Sequence, residues 1–195
     1  MTRQRKNNMS RLKEIYNKKI IADLKNELGI SNIFALPKLT KVVINIGTGQ
    51  NKTNPKFSQA ASETLAAIAG QKPAVRKAKK AIAGFKTREG DQVGLIVTLR
   101  GNKMYDFTDK LANIVLPRLR DFRGLDIKGF DKNGNYTLGI SEQIIFPEIT
   151  HEKAEIIHGL SISFVTTARD AKEGHALMKA LGFPFKKVEG KDING

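Results

Sequence analysis

Several stretches of the chain alternate apolar and polar side chains with a period of two, and this pattern constrains the fold more than any other feature. In residues 39–46, Val42, Ile44 and Ile46 share one face while Lys41, Val43 and Asn45 share the other. Residues 92–100 repeat the pattern, with Val93, Leu95, Val97 and Leu99 on one face and Gly94, Ile96, Thr98 and Arg100 on the other. Residues 159–168 alternate again through Leu160, Ile162, Phe164 and Thr166. Strands of a parallel sheet, covered on both sides, read as nearly continuous apolar runs. These strands are apolar on one side only. The expected sheet is therefore mostly antiparallel, covered by helices on one face and open on the other.

Helical periodicity supplies the cover. Ser10 precedes Leu12, Ile15, Tyr16, Ile20, Leu24 and Leu28 at three- and four-residue steps, and Gly29 is placed to end that helix. Residues 55–69 put Phe57, Ala61, Leu65 and Ile68 on one side, with Pro55 in the first turn and Gly70 and Pro73 beyond the end. Asn102 is positioned to cap a third helix with Met104, Phe107, Leu111, Ile114 and Val115 inward, stopping near Pro117. Asp170 is positioned to cap a fourth, running to about residue 181. Between them, the Asn133-Gly134 pair marks a hairpin or tight turn before a strand to about Ile140. The expectation is an α+β domain of about five strands and four helices over residues 10–187. A basic flexible extension at 1–9 and a flexible tail at 188–195 should flank it.

Composition says what such a domain meets. Thirty-four Lys and Arg against nineteen Asp and Glu leave a formal charge of +15, which points to a polyanionic partner. The excess is one-sided: residues 1–100 hold 20 bases and 6 acids, residues 101–195 hold 14 and 13. It concentrates in 1–30, 38–58 and 71–90, whereas a merely solubilising surface would scatter both signs. Arg11, Lys18 and Lys25 lie on the polar face of the first helix, to be solvated or laid along a phosphate strand.

Other chemistry is excluded or unsupported. Without cysteine there is no disulfide, thiolate zinc site or thiol nucleophile. The loop at 47–53 follows a strand, but Walker A needs glycines where Asn51 and Ile46 stand, and the dinucleotide pattern meets Lys52 at its third glycine. His151 and Glu152 begin a zincin-like helix whose second histidine is replaced by Glu155; His158 and His175 read as packing or surface residues. Nothing suggests an enzyme, and no cofactor is expected. The basic N-terminus precedes a charged helical pattern, unlike a secretory signal, and no stretch reaches about 20 apolar residues. A soluble cytoplasmic protein is expected.

Nine short stretches, in order, make the chain resemble bacterial large-subunit ribosomal protein five, a family that binds 5S rRNA. They are KVVINIGTG (41–49), GQKP (70–73), AIAGFK (81–86), REG (88–90), VTLRG (97–101), PRLRDFRG (117–124), GNY (134–136), EQIIFPEI (142–149) and GFPF (182–185). The resemblance runs from about residue 9 to 186. It implies a non-catalytic protein of the central protuberance that helps attach 5S rRNA to the large subunit, beside 23S rRNA and other ribosomal proteins.

It also implies sites. The family's 5S-binding positions fall on Asn45, Gln71 and Thr98, with Lys72 and Arg100 nearby. Amide and hydroxyl groups suit base edges and ribose 2′-hydroxyls, and a guanidinium suits phosphate; each group can equally serve a local hydrogen bond. The residues themselves make 76–88 a loop that, with glycines at 84 and 90, can extend and drape over a backbone, carrying Arg76, Lys77, Lys79, Lys80, Lys86 and Arg88 with Phe85 as its one aromatic. In the family this loop reaches transfer RNA in the peptidyl site. Arg118, Arg120, Asp121 and Arg123, with the turn around Asn133, fall where the family bridges to the small-subunit head protein thirteen. A surface cluster of paired charges is the plainer alternative. The turn departs from the family at Lys132-Asn133, where a glycine commonly follows the aspartate.

Rivals remain open. A free architectural protein would bind nucleic acid without register and would need no polar group on one sheet face. A nucleic-acid enzyme would need a metal-binding carboxylate cluster.

Overall fold

The computed structural model describes residues 9–49, 54–120, 122–149 and 156–186, so the expected N-terminal extension, except for Met9, and the expected tail lie outside the described residues. Its sheet has five strands, β1 (Leu39–Gly47), β2 (Ala74–Lys77), β3 (Gln92–Leu99), β4 (Tyr136–Ile140) and β5 (Leu160–Thr166), in the order β2-β3-β1-β5-β4. Every pairing is antiparallel. β1 is central, opposing Ile44 to Val97 of β3 on one side and to Ile162 of β5 on the other. The expected α+β architecture is what forms, and the residues expected to face inward are buried at Val42, Ile44, Ile46, Leu95, Val97, Leu99, Leu160, Ile162 and Phe164.

Helix α1 covers residues 11–28, α-helical at Arg11–Ile15, widened into a π turn at Tyr16–Ile20 and α-helical again at Ile21–Leu28. Gly29, at φ 67°, ends it in the left-handed conformation that glycine adopts most readily. Ser10 occupies the N-cap position without capping, since its hydroxyl is buried and has no partner. Leu12, Tyr16, Ile20 and Leu24 are buried at four-residue steps, and Ile15, one position off that stripe, is exposed. Arg11 forks onto Asp109 of the third helix at 3.0 and 2.8 Å, so its charge is already matched.

Helix α2 (Pro55–Ala69) is capped by Asn54, whose carboxamide oxygen accepts from the backbone of Lys56 and Phe57, and Phe57, Ala61, Leu65 and Ile68 are buried as expected. Helix α3 begins at Gly101–Lys110, widens into a π turn at Leu111–Val115 and tightens into a 3₁₀ turn at Leu116–Arg118, where Pro117 stops it. Its cap position is Arg100, not the expected Asn102, and the π turn leaves Ile114 exposed. Helix α4 (Ala171–Ala180) is capped by Asp170, which accepts from the Glu173 N–H at 2.8 Å. All four helices contribute to a single core on one face of the sheet.

The turn before β4 is held by Asp131, whose backbone pairs with Asn135 and whose carboxylate accepts from the N–H groups of Asn133 and Asn135. Gly134, at φ 70°, lies so close to Ala168 and the Asp170 carbonyl that a Cβ there would overlap both. Gly134→Ala should therefore destabilise the fold by at least about 2 kcal/mol, read as a lowered denaturation midpoint; an unchanged midpoint would mean the turn is loose. Burial pushes the Tyr16 hydroxyl up to about 12, and burial with the Asp126 charge does the same for Tyr136. Because the neutral forms are the ones the fold favours, their stabilisation is complete below pH 10 and is lost as pH rises toward 12. Tyrosinate absorbance and helicity, followed through an alkaline titration, should change together in that window.

Candidate nucleic-acid interface

The face of the sheet away from the helices is built from residues out of phase with the core. Register sets Asn45 between Ile96 of β3 and Ser161 of β5, and Val43 between Thr98 and Ser163. Asn45 and Thr98 are thus diagonal neighbours, within the roughly 7–8 Å reach of one ribose or base edge. Asn45 is exposed, and its side-chain oxygen lies above Gly94, where there is no side chain to cover it. Neither Asn45 nor Thr98 makes a side-chain hydrogen bond among the described residues. Their polar groups stand on a hydrogen-bonded strand pair with their capacity unspent.

Gln71 and Lys72 reach the same corner by another route. Helix α2 ends at Gly70 in the left-handed conformation, and the Lys103 ammonium of α3 donates to the Gly70 carbonyl at 3.1 Å, fixing the reversal. Pro73 then delivers Ala74 opposite Ile96. Carried back two residues, that register brings Lys72 abreast of Thr98. Arg100 lies one residue beyond the strand expected to contain it; extended at φ −139° and ψ 165°, it is the last residue before α3 turns away. Leu99 faces Val42, so Arg100 follows beside Lys41. By this register Asn45, Lys72, Thr98 and Arg100 gather at one side of the open face, and all but the half-buried Thr98 are exposed; Gln71, also exposed, precedes Lys72 in the turn between Gly70 and Pro73.

The basic segment is less of a loop than its composition suggests. Arg76 and Lys77 belong to β2, paired with Gly94 and Gln92 across a bulge. Beyond them the arm is closed twice by backbone bonds, between Ala78 and Asp91 and between Ile82 and Thr87. Its tip is a 3₁₀ turn at Ala83–Phe85 followed by Lys86 at φ 48°. Lys79, Lys80, Lys86 and Arg88 are exposed, and Phe85 is 76% exposed at the tip. Its glycines at 84 and 90 suggest draping; backbone pairing makes it a hairpin instead.

The residues of the third cluster do not converge. Arg118 and Arg120 line a cleft of about 480 Å³ with Gly139, Ile140, Ser141 and Glu142, at the end of β4. Asn133 lies in the turn that begins β4, about 13 Å of strand away. Arg123 is exposed on the connecting segment, and Asp121 lies outside the described residues. In the turn, desolvation raises the Asp131 carboxyl but hydrogen bonds from the Asn135 side chain and the Asn135 and Asn133 backbones outweigh it, holding the group below the usual value.

The histidines are packing residues where the structure describes them. His158 is buried edge-on against Phe57 at 5.9 Å, and burial pushes its pKa down. His175 sits between Phe130 and Phe185; burial, then the Lys179 charge, lowers its pKa against an opposing pull from Glu27. His151 lies outside the described residues, among which no three His, Asp or Glu side chains are grouped to hold a metal.

Sequence reasoning overlooked the hydroxyl row of Ser161, Ser163 and Thr137, although the strict Leu-Ser-Ile-Ser-Phe alternation put the two serines on the open face. Ser163 and Thr137 hydroxyls hydrogen-bond at 3.0 Å, so part of that row is already paired.

A strongly basic chain that presents polar side chains on an open antiparallel face has the charge and surface chemistry of the RNA-associated class. A model described as Ribosomal protein L5 matches residues 32–88, and one described as the C-terminus of that ribosomal family matches residues 92–185. The chain is 52% identical over 178 residues to the large ribosomal subunit protein uL5 of Geobacter sulfurreducens, covering 91% of this chain and 99% of that one. With the same coverage it is 53% identical to proteins of that name from Francisella tularensis subsp. mediasiatica and Anaeromyxobacter sp. strain K. The chain belongs to the ribosomal protein L5 family. It is a structural, RNA-associated component of the large ribosomal subunit, working in the cytoplasm within the ribosome, and not an enzyme. Among the described residues no helix is long and apolar enough to cross a membrane.

Proposed function

We propose that the open face binds 5S rRNA and helps seat it in the central protuberance beside 23S rRNA and neighbouring ribosomal proteins. The observation that carries this reading is the pair Asn45 and Thr98, held diagonally on a rigid sheet with unspent hydrogen-bonding capacity. Gln71, Lys72 and Arg100 adjoin it. Arg100 and Lys72 supply phosphate contacts, and the amides and hydroxyl read base edges or the 2′-hydroxyl that distinguishes RNA from DNA.

The projecting arm, with Arg76, Lys77, Lys79, Lys80, Lys86 and Arg88, grips peptidyl-site transfer RNA by charge and shape, because Phe85 alone cannot stack several bases. At the other side of the sheet β4 is an edge strand, with Arg118 and Arg120 near its end and Asn133 in the turn before its start, while Arg123 is exposed on the connecting segment. That arrangement suits an elongated contact with the small-subunit head protein thirteen better than one compact charge cluster.

Three measurements test these assignments. Asn45→Ala should weaken 5S rRNA binding by about 1–3 kcal/mol, because its partners on the RNA are left unpaired; unchanged affinity would remove Asn45 from the interface. The deciding comparison is a titration against 5S rRNA and an unrelated structured RNA of equal length across salt, since charge alone binds both and fades for both. Replacing Lys79 and Lys80 with Glu should spare 5S binding while weakening transfer RNA retention on the ribosome. Equal losses of both would show that the arm and the open face are one surface.

A further inference from the structure

Phe34 is 94% exposed, more than any other large apolar side chain among the described residues, and its neighbour Ile33 is 55% exposed. A phenyl ring left in water costs burial free energy, and a flexible loop would fold it back. Here the backbone prevents this. The Ile33–Ala35 segment is a 3₁₀ turn capped by Asn32, whose side-chain oxygen accepts from the Phe34 N–H at 2.9 Å and whose carbonyl accepts from the Ala35 N–H at 3.0 Å. Immediately afterwards Leu36 enters the core at 3% exposure, and the Tyr16 hydroxyl donates to the Pro37 carbonyl at 3.0 Å. The ring is held outward by a turn anchored on both sides.

Its surroundings indicate what covers it. The turn leads directly into β1, at the end of the sheet where Val42 faces Leu99 and Lys41 lies beside Arg100. Lys38 is exposed between the turn and that corner. Between Glu27 and Glu63 the sequence contains no acidic residue. An apolar knuckle meeting a protein would be expected among charges of both signs; this one leads into a stretch whose only charges are cations, the combination that receives a base against an aromatic face and its phosphates against lysine and arginine.

We propose that Phe34 is a stacking platform for an unpaired base of the 5S rRNA, with Ile33 supporting the same nucleotide. The inference rests on the reading that the open face binds that RNA, and extends the interface around the end of β1 to a residue whose contribution is stacking instead of hydrogen bonding. The chain contains no tryptophan, so Phe34→Trp places a single reporter on the knuckle. Titration with 5S rRNA should quench its emission, and Phe34→Ala should weaken 5S affinity roughly tenfold or more while leaving the salt dependence and thermal midpoint unchanged. Wild-type affinity in Phe34→Ala with an unquenched reporter in the bound complex would overturn the stacking platform and leave 5S binding standing. If the unaltered protein shows no preference for 5S rRNA, both fall. A reporter silent toward the RNA that responds only in the assembled large subunit would assign the knuckle to another component and overturn the inference.

Discussion

β1 is hydrogen-bonded along both edges, to β3 and to β5, and its alternation divides the molecule in two. Val42, Ile44 and Ile46, each at most 1% exposed, anchor the core beneath four helices. The residues between them cannot reach that core and must face outward. A one-residue slip of β1 against its neighbours would put Asn45 under the helices and expose Ile44, so the packing that stabilises the fold also fixes which groups the open face presents. A cavity opened on the inner face would therefore be felt on the outer one.

Much of this was legible because it depends on period and punctuation. The inward residues of β1, β3 and β5, the glycines ending α1 and α2, and the Asp170 cap follow from local patterns that tertiary contacts reinforce. What escaped depends on geometry that no local pattern encodes. The π turn in α3 leaves Ile114 outside its stripe, and nothing in the spacing signals the wider turn there or in α1. Ser10 has the residue type of a cap but is buried, whereas Asn54, not singled out, performs that role.

The site was legible to different depths. Asn45 and Thr98 could be placed on one face from alternation alone, because each strand faces its neighbours in phase. Gln71 and Lys72 needed the Lys103 contact with Gly70, a tie between segments 33 residues apart. The basic arm reads as open from composition because its closure rests on two isolated backbone pairings, Ala78 with Asp91 and Ile82 with Thr87, separated by residues that show no two-residue alternation. Arg118 and Asn133 are close in sequence, yet β4 runs between them and sets them apart.

One of the two outermost strands, β2, has all four residues exposed and pairs only with β3. An unpaired edge invites another chain to add a strand, a hazard for any protein made before its RNA is available. Arg76 and Lys77 put two positive charges on that edge, and a second copy approaching would bring the same two. Self-repulsion then keeps newly made molecules apart, while a polyanion meets no such barrier. The charge that favours assembly with nucleic acid thus also protects the protein during the interval before assembly.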